Sequence, residues 1–154
     1  MKKSALVFIL LLVACGQKFN REDEEKAIRN LLKIQETAWN NGNIDEFMKG
    51  YWKSDSLMFV GKNVTKGWNA TIERYRKSYP DKEAMGRLEF AYYGFKFVDN
   101  TSCLVTGKYH LIRTNDDPGG MFTLLFKKID GEWIIVYDHT SDLKFEIRNS
   151  KFEI

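Results

Sequence analysis

The apolar residues of this chain change their period once, near residue 80. Over 21–40, Ile28, Leu31, Leu32, Gln35 and Trp39 recur at spacings of three to four with charges between them, the mark of an amphipathic helix. From 86 to 141 apolar and polar residues alternate, the mark of strands with one buried face. A chain that spends its helices first and its strands afterwards cannot build the interleaved parallel sheet of an α/β fold. It must pack a helical half against an antiparallel meander, an α+β arrangement.

The breaks agree with that division. Asp23, Glu24 and Glu25 sit at the start of the first helix, where the helix dipole favours negative charge. Asn40, Asn41 and Gly42 stop it, and Asn43 can cap a second helix over 44–51. A short strand is expected over 56–60, a turn region over 61–67, and a third helix over 68–79, ended by Pro80. Strands follow over 86–93, 95–98, 102–113, 121–128 and 132–141. The Asp130-Gly131 pair is the strongest hairpin signal among their connections.

The opening residues have a different purpose. Lys2 and Lys3 precede an apolar run from Ala5 to Ala14, which is too short to span a bilayer and reads as a secretory signal. Leu12-Val13-Ala14-Cys15 resembles a bacterial lipobox. That resemblance implies a signal peptide over 1–14 removed before Cys15, lipid on Cys15, a linker over 15–21, one domain over 22–145 and a tail over 146–154. The expected address is the bacterial cell envelope, with the chain anchored to the outer membrane through that lipid. Removing Lys2 and Lys3 lowers the 24 basic residues to 22 against 21 acidic ones, a net charge of +1. The surface therefore has no basic excess for nucleic acid, and arginines are not interleaved with aromatics. With Cys15 acylated, Cys103 has no partner and fills core space. No spaced Cys/His set suggests a metal, and no phosphate loop or nucleophile elbow suggests a cofactor, a kinase or a hydrolase.

Several segments carry a family resemblance: AWNNGNIDEFMKGY, FVG, GWNATIERYRKSYP, MGRLEF, VTGKYHLIR and GMFTLLFKKIDGEWIIVYDHTS, in that order between residues 28 and 141. Together they resemble the nuclear transport factor 2-like superfamily, and within it the branch of SnoaL-like cyclases, kinase association domains and bacterial lipoproteins. The resemblance implies a cone in which a curved sheet wraps around helices and leaves an apolar pocket at its wide end. It also implies a range of roles, from isomerase, dehydratase and cyclase to pure binding and dimerisation, so the fold alone leaves the function open.

Two groups of residues are candidates for that pocket. Trp39, Phe47, Tyr51, Trp52, Phe59, Trp68, Tyr75 and Tyr79 crowd the helical half; rings at this spacing suit either a core or a ligand wall. Arg74, Arg76 and Lys77 spread around the third helix and read as a solvated face. In VYDHTSD, a regular strand puts Trp133, Ile135, Tyr137, His139 and Ser141 on one face and Asp138 on the other. The adjacent Asp138 and His139 then cannot serve one cavity unless a bulge re-aims one of them. The expectation is that His139 lines the cone with Tyr137 and Ser141, and that Asp138 serves the fold. The function expected is a lipid-anchored module that binds a small apolar or amphipathic ligand. The alternatives are cofactor-free proton transfer by His139 (isomerisation, dehydration or cyclisation) and a non-catalytic module that forms a homodimer.

Overall fold

A computed structural model describes residues 19–143. The expectations for the signal segment, Cys15 and the tail beyond residue 145 lie outside the described residues.

Helix α1, Arg21–Asn40, opens with the Asn20 side chain accepting the Glu22 backbone N–H, and buries Ile28, Leu32, Gln35, Ala38 and Trp39. Asn43 caps α2, Ile44–Met48, through the Glu46 N–H. Two short strands, β1 (Met58–Val60) and β2 (Val64–Lys66), precede α3, Trp68–Ser78, and a one-turn α4, Lys82–Met85, capped by Asp81. Four long strands complete the domain: β3 (Arg87–Asp99), β4 (Ser102–Ile112), β5 (Gly119–Ile129) and β6 (Glu132–Leu143). They form one curved, open sheet of order β2-β1-β6-β5-β4-β3. Every pairing is antiparallel except β1 with β6, which is parallel. The helices pack into the concave face.

The helical half ends earlier than its pattern suggests. After Met48 the chain extends and docks on β6 through Trp52 N–H to Ile135 O at 2.8 Å and Ile135 N–H to Gly50 O at 2.9 Å. The expected turn at 61–67 contains β2, and α4 has too few residues to display a period. The two strands expected over 86–93 and 95–98 are one strand, bent by a bulge between Tyr92 and Gly94. The Asp130-Gly131 hairpin is as expected: both residues have positive φ, 53° and 88°, which suits the twist of the flanking strands.

A second bulge decides the site. Leu125 pairs with Tyr137 and its neighbour Phe126 pairs with Ile135, so Val136 is an extra residue in β6. An extra residue bends the strand and advances the side-chain alternation by one. Before Val136 the inward residues are Trp133 and Ile135; after it the inward residue is Asp138, 3% exposed.

The closed end of the cone is packed around Ile28, Val105, Phe126, Ile135 and the free thiol of Cys103, all without exposed surface. Trp133 seals this end. Its indole N–H donates to Glu24 at 2.6 Å, and the Lys128 ammonium reaches both Glu24 oxygens at 2.7 and 2.8 Å. Lys128 holds the Glu24 carboxyl below its usual range, against the opposing effect of partial burial.

Candidate functional site

The wide end of the cone holds a cavity of about 140 Å³. Helices α1 and α3 and the segment around α2 form its roof, with Trp39, Phe47, Tyr51, Tyr75 and Tyr79 turned inward; the inner faces of β1 and β3–β5 add Phe59, Leu88, Phe90, Leu111, Phe122 and Leu124. The rings pack edge-on, with Trp39 against Phe47, Tyr75 and Tyr79 at centroid distances of 5.1, 6.1 and 4.7 Å. Gln35, also in the wall, is committed to the backbone: its side-chain N–H donates to Phe47 O at 2.9 Å.

Asp138 is the carboxyl buried deep in this chamber. The Tyr51 hydroxyl donates to its Oδ2 at 2.8 Å and the Thr140 hydroxyl donates to its Oδ1 at 2.6 Å. Tyr75 lies beside Tyr51 in the same wall, with the Phe47 ring 5.5 Å from its own. Burial disfavours the carboxylate and pushes Asp138 up to about 6; the two hydroxyls and the more distant Arg74 and His139 recover only part of that loss. Burial also raises Tyr51, Tyr75 and Tyr79, so these phenols stay protonated donors at neutral pH.

The mouth is polar. Gly61, Lys62, Arg74, Ser78, Tyr109 and Asp142 stand around it. Tyr109 donates to Asp142 at 2.7 Å. Arg74 lies with its guanidinium carbon 4.1 Å from the Phe59 ring centroid.

Six of the eight aromatic residues expected in a pocket wall line this cavity: Trp39, Phe47, Tyr51, Phe59, Tyr75 and Tyr79. Trp52 and Trp68 do not. The Trp68 indole donates to Met48 O at 3.0 Å and ties α3 to the end of α2, with Lys53 over its ring at 5.2 Å. Trp52 is held by its backbone bond to Ile135.

The expected polar triplet is inverted. His139, Tyr137 and Ser141 lie on the outer face of the sheet: His139 pairs with Thr123 and Val60, Tyr137 is 36% exposed, and the Ser141 hydroxyl donates to Met121 O at 3.4 Å. The Val136 bulge is the cause, since it exchanges the faces of every residue after it. Asp138 and His139 still point apart, so they form no dyad. Asp138, expected to serve the fold, is the pocket's acid. Arg74 is a second correction: it stands at the cavity mouth rather than on a merely solvated face. The sequence did hold a signal for Arg74, because it shares a helical stripe with Ser78 beside the inward stripe of Tyr75 and Tyr79. For the bulge it held none, as Ile134-Ile135-Val136-Tyr137 is apolar at every position.

No protein-family model and no curated protein matches the chain. Among solved structures, a protein of unknown function from Shewanella oneidensis, described as nuclear transport factor 2-like, is 43% identical, with a TM-score of 0.75 over 77% of this chain and 99% of that one. A ketosteroid isomerase-like protein from Erwinia carotovora atroseptica is 16% identical, with a TM-score of 0.66 over 79% and 97%. A scytalone dehydratase-like protein from Novosphingobium aromaticivorans is 14% identical, with a TM-score of 0.63 over 79% and 85%. The two distant structures share the fold, and the Shewanella protein shares both fold and sequence. This chain belongs to the nuclear transport factor 2-like family.

Proposed function

We propose that the cone binds one small apolar or amphipathic molecule and that Asp138 exchanges a proton with it. The observation that carries this reading is a ring-lined chamber with one carboxyl, Asp138, buried in its wall and its affinity for protons raised to about 6. A structural carboxylate is normally paired with a cation; among the described residues this one has only hydroxyl donors in contact, and each of its oxygens keeps a lone pair for a further partner. A group titrating near neutral pH can both take and return a proton, which suits general acid–base chemistry without a cofactor. Asp138 replaces His139 as the base or acid in that scheme. The chamber is close in size to cavities of about 150 Å³ that accept a single benzene ring, which sets the scale of the group it encloses. The names of the Erwinia and Novosphingobium proteins refer to an isomerase and a dehydratase, two reactions that move protons at carbon.

The same proposal places the domain in the cell envelope on a lipid at Cys15, supported by the Leu12-Val13-Ala14-Cys15 sequence. A role confined to homodimerisation is the competing reading, and it makes no use of Asp138.

Native mass spectrometry of the chain purified from its host tests the binding. The expected spectrum contains the protein plus one small molecule, lost when Leu124→Trp fills the cavity. Retention of the same mass in that variant would place the molecule elsewhere. The proton exchange is tested by deuterium uptake, followed by NMR, into a small ketone with acidic C–H bonds. The wild-type rate should rise with pH through about 6, as the carboxylate forms, and Asp138→Asn should abolish it.

A further inference from the structure

Helix α3 presents two stripes to the cavity. Tyr75 and Tyr79 point into the chamber, while Arg74 and Ser78, also four residues apart, stand at its rim. The charges of this helix are treated differently. Arg76 is engaged by Glu73 and Asp45, each at 2.6 Å. Arg74, two residues earlier, makes no ion pair among the described residues. Its guanidinium carbon lies 4.1 Å from the Phe59 ring centroid and 6.0 Å from that of Tyr75. Stacking on aromatic rings orients a guanidinium while leaving its N–H fork available, and that fork matches a carboxylate or phosphate in a two-bond geometry.

The rim around Arg74 suits a negative charge. Lys62 adds a second cation, and Ser78 adds a hydroxyl. Asp142 is the opposing charge of the rim, and it already accepts the Tyr109 hydroxyl. Gly61 leaves the approach open: a Cβ there would lie 3.6 Å from an Arg74 nitrogen and 3.2 Å from the Phe59 ring. A molecule seated in the chamber would thus place a ring or short chain against Trp39 and Phe122, and its far end would emerge beside Arg74.

We infer that the ligand is an amphiphile with one anionic group, carboxylate or phosphate, and that Arg74 at the cavity mouth is the residue that selects for it. This inference rests on the pocket reading above. Arg74 anchors the ligand at a distance from Asp138, so the anion lies at the solvated rim and the reacting or buried part lies within. Lys62 strengthens the field without fixing orientation, since an ammonium has no planar fork.

Three probes that share a benzyl group test this on the purified full-length chain: phenylacetate, 2-phenylethanol and phenethylamine, titrated calorimetrically at pH 7.5. The expected ranking puts phenylacetate about tenfold tighter than the alcohol, as a charge-assisted bond gives. Arg74→Gln should reduce that preference to about twofold or less, whereas Lys77→Gln, a change on the same helix away from the mouth, should keep it. Three outcomes would overturn the anion clamp while leaving the pocket intact: equal binding of all three probes, tightest binding of the amine, or an undiminished preference in Arg74→Gln. If no probe binds, the pocket reading fails and the clamp falls with it. The wild-type ranking tests the idea without any variant.

Discussion

Strand β6 contributes to two polar clusters, one on each side of its bulge, and they are built in opposite ways. At the closed end, Trp133 and Lys128 converge on Glu24, whose side chain is 17% exposed; the carboxylate has a cation and an indole N–H, and its proton affinity falls. At the open end, Asp138 is more deeply buried, has only Tyr51 and Thr140 as donors among the described residues, and its proton affinity rises. One carboxylate is satisfied and sealed under a tryptophan. The other faces the chamber with hydroxyl donors in place of a cation. Burial of a charge without a counter-ion destabilises a fold, so its presence at the cavity, and not at the closed end, separates a site from a clasp.

The largest predicted effect lies at the closed end. Trp133→Ala should cost about 3 to 5 kcal/mol by denaturant unfolding, because it leaves a cavity and takes a donor from Glu24. Loss of less than about 1 kcal/mol would refute the sealing role.

The same comparison explains which parts of the structure were legible in the sequence. The change of period near residue 80 reveals helices before sheet, and Asp130-Gly131 reveals its hairpin, because both are local properties. The ring-rich wall is visible too: Tyr75 and Tyr79 share a helical stripe, whereas Trp68, on the same helix, serves a backbone carbonyl that only the tertiary contact identifies. The face of Asp138 was hidden. Strand periodicity assigns faces only while the ladder is regular, and in Ile134-Ile135-Val136-Tyr137 every residue tolerates either side. The bulge is set by how β6 must curve between β5 and β1, which is a property of the whole sheet.

Asp138 carries the next prediction. Its affinity for protons in the fold, about 6, exceeds its unfolded value of 3.8, so its stabilising contribution is complete below about pH 4 and disappears as pH rises through about 6. The carboxyl should therefore lower wild-type stability by roughly 2 to 3 kcal/mol between pH 4 and pH 7.5. In Asp138→Asn that slope should be absent from a series of thermal melts. An identical slope in the variant would assign the titration to another group.

The smallest effect belongs to the residue that adjacent letters make most conspicuous. His139→Ala should change stability by no more than about 0.5 kcal/mol, as surface substitutions do, and should leave the binding of phenylacetate unaltered. A tenfold weakening would return the histidine to the site.

The central claim is that the bulge turns Asp138, and not His139, into the chamber. A carboxyl ¹³C NMR titration of Asp138, assigned by its disappearance in Asp138→Asn, reads this directly. The account predicts a midpoint near 6, moving higher in Tyr51→Phe as one stabilising donor is lost. A midpoint near the ordinary carboxylate value of about 4, unmoved by that substitution, would contradict it.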